Sequence, residues 1–509
     1  MSNHLLSVVI FLPLLGVLGL VVGGRQITDA GARWITLLVT LVVFAVSLAM
    51  LGQFDSADAG YQLVERASWV PSIGLQYLVG VDGISLWLVL LTTFLFPISV
   101  LASWSVTTEI RRYMIAMLVL ETAVLGSFLA LDLILFFVFF EAMLVPMYLL
   151  IGGWGGERRV YAALKFFLFT MAGSAFLLVA IIFLYARAGG GSFELTTLAG
   201  TAATLPVETA RWLFLAFFVA FAVKVPVFPL HTWLPDAHTE APTAGSVLLA
   251  GVLLKVGAYG LIRFNMALFP EASKHFATPI MVLAAIGIIY GAVCAITQRD
   301  VKRLVAYSSV SHLGFVVLGL FAFTHQAVSG GVLQMVNHGL ATGALFLLVG
   351  MVYERTHTRK LDEMGGLASV MPWLLGFFLF AVFASAGLPG LSGFVGEFLV
   401  IIGTFAVSHW LGVAASIAVV LGAIYLLWSY QRVAYGAVRE EHRGLPDVSA
   451  REVAVIVPVL ALLLVFGVFP RLLTDSIDPA TARVIENVAP DHATTVVTGV
   501  TVADPASGG

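Results

Sequence analysis

The sequence predicts an all-α polytopic membrane protein of about fourteen transmembrane helices. Three observations carry this. The 509 residues are 60% hydrophobic and 11% charged, with a mean hydropathy of +1.01, whereas soluble domains are about 45–50% apolar and about 25% charged. Apolar runs of helix-spanning length recur, and strand-type alternation is not apparent. Two of the runs carry helix-breaking residues at mid-depth, which membrane protein tolerates only where other protein or a water-filled cavity covers the break.

In order, the spans are read at roughly 3–23, 34–53, 79–104, 112–131, 132–152, 160–186, 211–234, 242–267, 277–297, 302–321, 327–352, 371–406, 410–436 and 452–471. The first lacks the basic n-region of a secretory signal and reads as a retained span. In the seventh, Pro226 and Pro229 follow Lys224. A proline cannot donate to the carbonyl four residues back, so Ala222 and Val225 are expected to lose their helical partners. The twelfth exceeds one crossing of about 20 residues, and its segment GLPGLSG, from Gly387 to Gly393, predicts a second break. From Leu472 to Gly509 the chain is polar and is expected to lie on the surface or to be disordered. The resulting division is 1–110 (the first three spans), 111–268, 276–437, 438–471 and the polar tail 472–509.

Basic residues set the orientation. Seventeen of the Lys and Arg fall in one set of alternate loops, among them Arg111, Arg112, Arg158, Arg159, Lys302 and Arg303, and seven in the other. The first set should be cytoplasmic, with both termini on the outer face. Only Lys224 and Lys255 belong to neither set.

The lone Cys294 leaves no internal disulfide, cysteine metal site or cysteine-ligated cluster, and reads as a small apolar helix residue. No phosphate-binding glycine loop, dinucleotide fingerprint, nucleophile elbow or basic nucleic-acid patch occurs. His231 and His238 are not spaced as a metalloprotease pair, so no metal is expected there.

The informative residues lie at mid-depth. Glu121 and Glu141 sit near the centres of two consecutive antiparallel spans. Lys224, Lys255, His312 and His338 lie near the centres of the seventh, eighth, tenth and eleventh, and Glu397 follows the break in the twelfth. A charge at the bilayer centre costs on the order of 3 kcal/mol, so a row of them serves packing specificity or ion movement. A carboxylate beside Lys224, with Glu141 the candidate, would hold its proton on. Withdrawal of that carboxylate would make Lys224 a donor to Lys255. Histidines titrate near neutral pH and suit a relay, with Glu397 as terminal acceptor. Several of these residues have a plainer alternative. Glu141 and Lys224 could be a structural ion pair, Glu121 a structural carboxylate, and either histidine an interhelical hydrogen-bonder; Lys165 could snorkel to the cytoplasmic interface. The breaks near residues 226 and 389 lie five spans apart. An inverted five-span repeat and ordinary Gly/Pro punctuation both account for them.

The stretches FFEAMLVPMYLLIGGWGGERR, KVPVFPLHTWLPDAHTEAPTAGSVLLAGVLLKVGAYGLIRF, QRDVKRLVAYSSVSHLGF and GLPGLSGFVGEF resemble the proton-conducting antiporter-like family of respiratory complex I. The resemblance runs from about Val79 to Tyr435. It implies fourteen helices with two inverted five-helix repeats, the fourth to eighth and ninth to thirteenth. It also implies a Glu141–Lys224 pair, a connecting Lys255, His312 and His338 on a hydrated central axis, Glu397 as the outer member, and Glu121 as an additional carboxylate. Glu397 stands where the family's L and N subunits, and related cation/proton antiporter subunits, usually carry lysine. The long C-terminal lateral helix of L is also missing. The implied partners are L, N and the lipid bilayer. The implied activity is that of a subunit in a proton-translocating NADH:quinone oxidoreductase of the cell membrane. Flavin, iron–sulfur clusters and quinone are expected on other subunits, with no cofactor or metal on this chain. A subunit of a cation/proton antiporter or membrane-bound hydrogenase, and a non-conducting spacer, are the alternatives.

Overall fold

A computed structural model of the chain describes residues 4–490. Helices α1 (Leu5–Val22) and α2 (Asp29–Leu51) lead to a hairpin of β1 (Gln62–Val70) and β2 (Leu75–Val81). Then come α3 (Gly83–Ala102), α4 (Ile110–Leu129), α5 (Leu133–Ala142), α6 (Leu144–Trp154), α7 (Arg159–Arg187) and the short α8 (Leu195–Ala202). Next are α9 (Val207–Lys224), α10 (Trp233–Glu240), α11 (Thr243–Leu248), α12 (Leu254–Gly260), α13 (Pro270–Ile296), α14 (Val301–Phe321) and α15 (His325–Thr356). The chain continues through α16 (Pro372–Ser385), α17 (Ser392–Phe405), α18 (His409–Ala434), α19 (Ala450–Val468) and α20 (Arg471–Val488). Among the described residues, twelve helical stretches are long and apolar enough to cross a membrane. The two remaining expected spans, the seventh and the twelfth, are each split into helix pairs, α9 with α10 and α16 with α17. The face bearing most Lys and Arg is called the basic face below.

The core consists of α14, α15 and the α11–α12 span, which are almost wholly buried, whereas α1, α2, α18 and α19 are only about one-third buried. Apolar side chains such as Leu15, Leu38, Val179 and Val420 stay exposed on the outer ring, as expected where lipid or another subunit is the solvent.

Four departures from the sequence reading have physical causes. First, strands are present: β1 and β2 pair antiparallel through a turn at Pro71–Ile73, closed by Gly74 at φ 67. They shorten the predicted third span, which starts at Gly83. There the Asp82 carboxylate accepts from the amides of Ile84 and Ser85, and Ser85 Oγ accepts from the Asp82 amide, a capping box.

Second, the fifth span is two helices with its joint at Met143. Pro146 has no N–H for the Ala142 carbonyl, so α5 stops there. Third, Lys165 does not snorkel free: it pairs with Asp236 at 2.7 Å, tying α7 to α10.

Fourth, residues 472–488 of the predicted tail belong to an amphipathic helix, α20. Leu473, Ile477, Ala480 and Ile485 of α20 face inward, and the helix packs on α3 and α15. Trp87 Nε1 donates to Ser476 Oγ at 2.7 Å, and Thr481 and Ser329 hydroxyls meet at 2.9 Å. The rest of that tail, 491–509, lies outside the described residues.

On the face opposite the basic one, a buried cluster joins the hairpin loop to the core. Arg263 pairs with Asp82 at 2.7 Å and donates to the hydroxyls of Tyr259 and Tyr61 at 2.9 and 2.8 Å. A matching pair of caps stands at the starts of α5 and α14. Asp132 accepts from the second and third amides of α5 and its backbone forms an isolated β-bridge with Glu194; Asp300 does the same for α14, its backbone forming a β-bridge with Lys360. Their helices begin on opposite faces five expected spans apart, the relation an inverted repeat produces.

Candidate proton-relay site

The break after α9 is built by a chain of hydrogen bonds. Pro226 cannot serve the Ala222 carbonyl, so Val227 N reaches it instead, at 2.9 Å. That displaces Val227 from Val223, whose carbonyl accepts from Trp233 Nε1 at 2.9 Å. The expected orphan at Ala222 is therefore satisfied, because the backbone re-pairs one residue along. Trp233→Phe should leave the Val223 carbonyl buried without that donor. A loss of about 1–3 kcal/mol is expected, read as a lower thermal midpoint of the detergent-solubilised protein; an unchanged midpoint would refute the cap.

Lys224 ends α9 and is 1% exposed. Its ammonium has no hydrogen-bond partner and sits 5.2 and 5.4 Å from the ring centroids of Phe140 and Phe166. Those are cation–π distances. Glu141 is the neighbour of Phe140 at the end of α5, yet no ion pair joins it to Lys224, and its Oε1 is also unpartnered. The structure therefore brings Glu141 and Lys224 to one region without the predicted direct pair. The aromatic rings, which sequence reasoning does not weigh, hold the ammonium.

At Gly257 the α12 helix lies directly on this break. A Cβ there would come within 2.9 Å of Lys224 Cβ and of Val225 N, so only glycine fits. Lys255, two residues earlier, is fully buried. Its helix is flanked by π-helical turns at Leu249–Leu253 and Leu261–Met266, a feature frequent at functional sites. Lys255 Nζ donates to the Ala250 carbonyl inside the first of these turns and lies 2.7 Å from His338 Nδ1.

From there the chain of polar groups continues. The rings of His338 and His312 stand 5.9 Å apart. His312 Nδ1 is 2.7 Å from Glu397 Oε1, and Gln334 Nε2 donates to the same oxygen at 3.0 Å. The other His312 nitrogen faces Ser385 Oγ at 3.4 Å and Tyr425 OH at 3.5 Å. A void of about 10 Å³ lies among His312, Gln334, His338, Thr342 and Ser385, close to the room one water needs. His338 Nε2, Gln334 Oε1 and Thr342 Oγ1 on its lining residues have no protein partner. The break between α16 and α17 completes the site: Gly387, at φ 75, places its backbone against Glu397 Oε2.

Five of the seven candidates thus fall into place around one axis: Lys255, His338, His312 and Glu397 in contact or nearly so, with Lys224 packed beside them across Gly257. Glu141 lies beyond Lys224. Glu121 is fully buried on α4, and both its oxygens lack partners; no hydrogen bond links it to the axis. Sequence reading missed Gln334, Ser385 and Tyr425. Only Gln334 leaves a signal, as a buried-face amide one helical turn before His338.

On the basic face a cavity of about 930 Å³ opens among the ends of α3, α6, α10, α14 and α15. It is lined by charged residues including Glu240, Lys302, Arg359 and Glu363. In its loop wall the Lys360 ammonium, hydrogen-bonded at 2.8 Å, holds the Glu363 carboxyl below the usual carboxylate range.

Buried charges in line along broken helices define a polytopic membrane protein of antiporter-like architecture. The profile of the family described as "NADH:quinone oxidoreductase/Mrp antiporter, TM" matches residues 130–422, and the chain belongs to that family. A relative from Rhodobacter capsulatus, named NADH-quinone oxidoreductase subunit M, is 46% identical over 97% of this chain and 98% of its own. One of the same name from Mycobacterium tuberculosis is 40% identical over 95% and 94%. Among solved structures, a chain of respiratory complex I from Thermus thermophilus with bound NADH superposes with a TM-score of 0.87, at 33% identity over 95% of this chain and 99% of that one. The Mrp complex from Dietzia shares the fold at a TM-score of 0.81 and 21% identity.

Proposed function

We propose that this chain is a proton-translocating membrane-arm subunit of an NADH-quinone oxidoreductase. NADH oxidation and quinone reduction take place on other subunits, and related L and N subunits are its neighbours. The observation that carries the reading is the pair of 2.7 Å contacts, Lys255 to His338 and His312 to Glu397, with both histidines between them. A proton on Lys255 has an acceptor in His338, and one on His312 has an acceptor in Glu397. The void between the rings suits a bridging water. Glu141 and Lys224 form the charge couple that loads Lys255, switched by charge movement in a neighbouring subunit. Protons are taken up from the basic, cytoplasmic face, and both termini lie outside.

The test uses intact complexes carrying Glu141→Gln or Lys224→Ala. Assembly is expected to be normal, with NADH oxidation and coupled pumping reduced about tenfold or more. Normal assembly together with pumping at the unsubstituted level would overturn the reading and favour a spacer.

A further inference from the structure

The relay described above starts at Lys255, and nothing yet connects Lys255 to the water of the basic face. His238, on α10, is fully buried, and neither of its ring nitrogens has a hydrogen-bond partner. Its ring stacks on Phe346 of α15 at 4.7 Å with a 17° tilt. A histidine packed only for shape would ordinarily satisfy at least one nitrogen, because an unmet buried polar group costs about 1–3 kcal/mol.

Its position explains the pattern. Two and three residues beyond His238, Glu240 and Ala241 line the 930 Å³ vestibule. Lys302, also lining it, donates its ammonium to the Ala241 carbonyl. On the other side, α15 presents His338, Thr342, Phe346 and Gly350 at successive i, i+4 positions, so the four share one helix face. Gly350 lines the vestibule and His338 touches Lys255. The stripe spans twelve residues, about 18 Å at the α-helical rise. Along it lie four buried polar atoms without protein partners, on three residues: the two His238 nitrogens, Thr342 Oγ1 and His338 Nε2.

We propose that His238 is the entrance residue of the relay, carrying protons from the cytoplasmic vestibule past Thr342 to the Lys255–His338 contact. The step balances within one ring: imidazole binds a proton from vestibule water at one nitrogen and releases the proton held on the other. The Thr342 hydroxyl accepts and donates in turn. On this route the proton reaches Lys255 from His238, and the Glu141–Lys224 couple drives that loading through its charge, the Lys224 ammonium being enclosed by Phe140 and Phe166. The inference rests on the relay reading and adds its entrance.

The experiment reconstitutes the whole complex in liposomes and measures NADH-driven proton uptake for His238→Gln, His238→Ala and Lys255→Met. Assembly is checked by co-purification of the redox subunits. Expected are assembled complexes, pumping reduced about tenfold in both His238 variants, and recovery of His238→Ala, but not of Lys255→Met, on adding imidazole. The vestibule is large enough to admit that molecule. Loss of pumping in His238→Ala with no recovery would assign His238 a packing role and overturn the proposal. Full pumping in His238→Gln, with Lys255→Met inactive, would place the entrance elsewhere and leave the relay standing. Full pumping in both His238→Gln and Lys255→Met would overturn the relay itself.

Discussion

Replacing Lys255 with methionine is expected to stop proton pumping almost completely while the complex still assembles. Methionine fills nearly the same volume, so the packing of α12 on α9 at Gly257 is retained. What disappears is the one group that reaches both the Ala250 carbonyl and His338 Nδ1. Positioned acid–base groups contribute about 10²–10⁴ in rate, so coupled NADH oxidation in inverted vesicles should fall by about 10²-fold. No carboxylate pairs with Lys255 among the described residues, so its removal leaves no opposite charge stranded and stability should hold. Lys255→Arg sharpens the test: it keeps the cation, but a guanidinium does not release its proton. It should assemble and remain as inactive as the methionine variant. Pumping within about twofold of the unsubstituted protein in either variant would remove Lys255 from the relay.

The largest effect on stability is expected at Arg263. Its partner Asp82 is 4% exposed and caps α3. Arg263→Met leaves that carboxylate buried and unpaired, which costs about 3–5 kcal/mol. The thermal midpoint of the solubilised protein should drop accordingly. Asp82→Asn added to Arg263→Met should recover much of the loss, because asparagine caps a helix as well as aspartate and carries no charge. Equal midpoints for the single and double variants would show that the ion pair is not what holds the hairpin loop to the core.

Much of this site is legible in the sequence, because a titratable side chain at mid-depth is too unfavourable in lipid to occur idly. Lys224, Lys255, His312, His338 and Glu397 stand out for that reason. The same rule is silent about Gln334, Ser385 and Tyr425, whose neutral groups carry little penalty. It is also silent about Phe140 and Phe166, which look like any other apolar residues until Lys224 is found between them. His238 draws attention only as a metal-ligand candidate, since its lack of partners is a three-dimensional fact. The breaks after Lys224 and at Gly387 follow from proline and glycine. The joint at Met143 obeys the same proline rule through Pro146, but a continuous apolar run masks it. Helix α20 escapes because its apolar residues recur at helical spacing within a polar stretch, a pattern that average hydropathy flattens.

The π-helical turn at Leu249–Leu253 has a consequence in register. In a π turn the amide five residues on serves the carbonyl that an α turn would serve from four residues on, so the extra residue is absorbed before α12 resumes. Deleting one residue from the turn, with every relay side chain intact, would let an α turn take its place and leave Lys255 in phase with His338. What it would remove is the widened turn, inside which the Ala250 carbonyl accepts from the Lys255 ammonium. The direction of Lys255 is therefore insensitive to the inserted residue, and the insertion serves the local wall of the site.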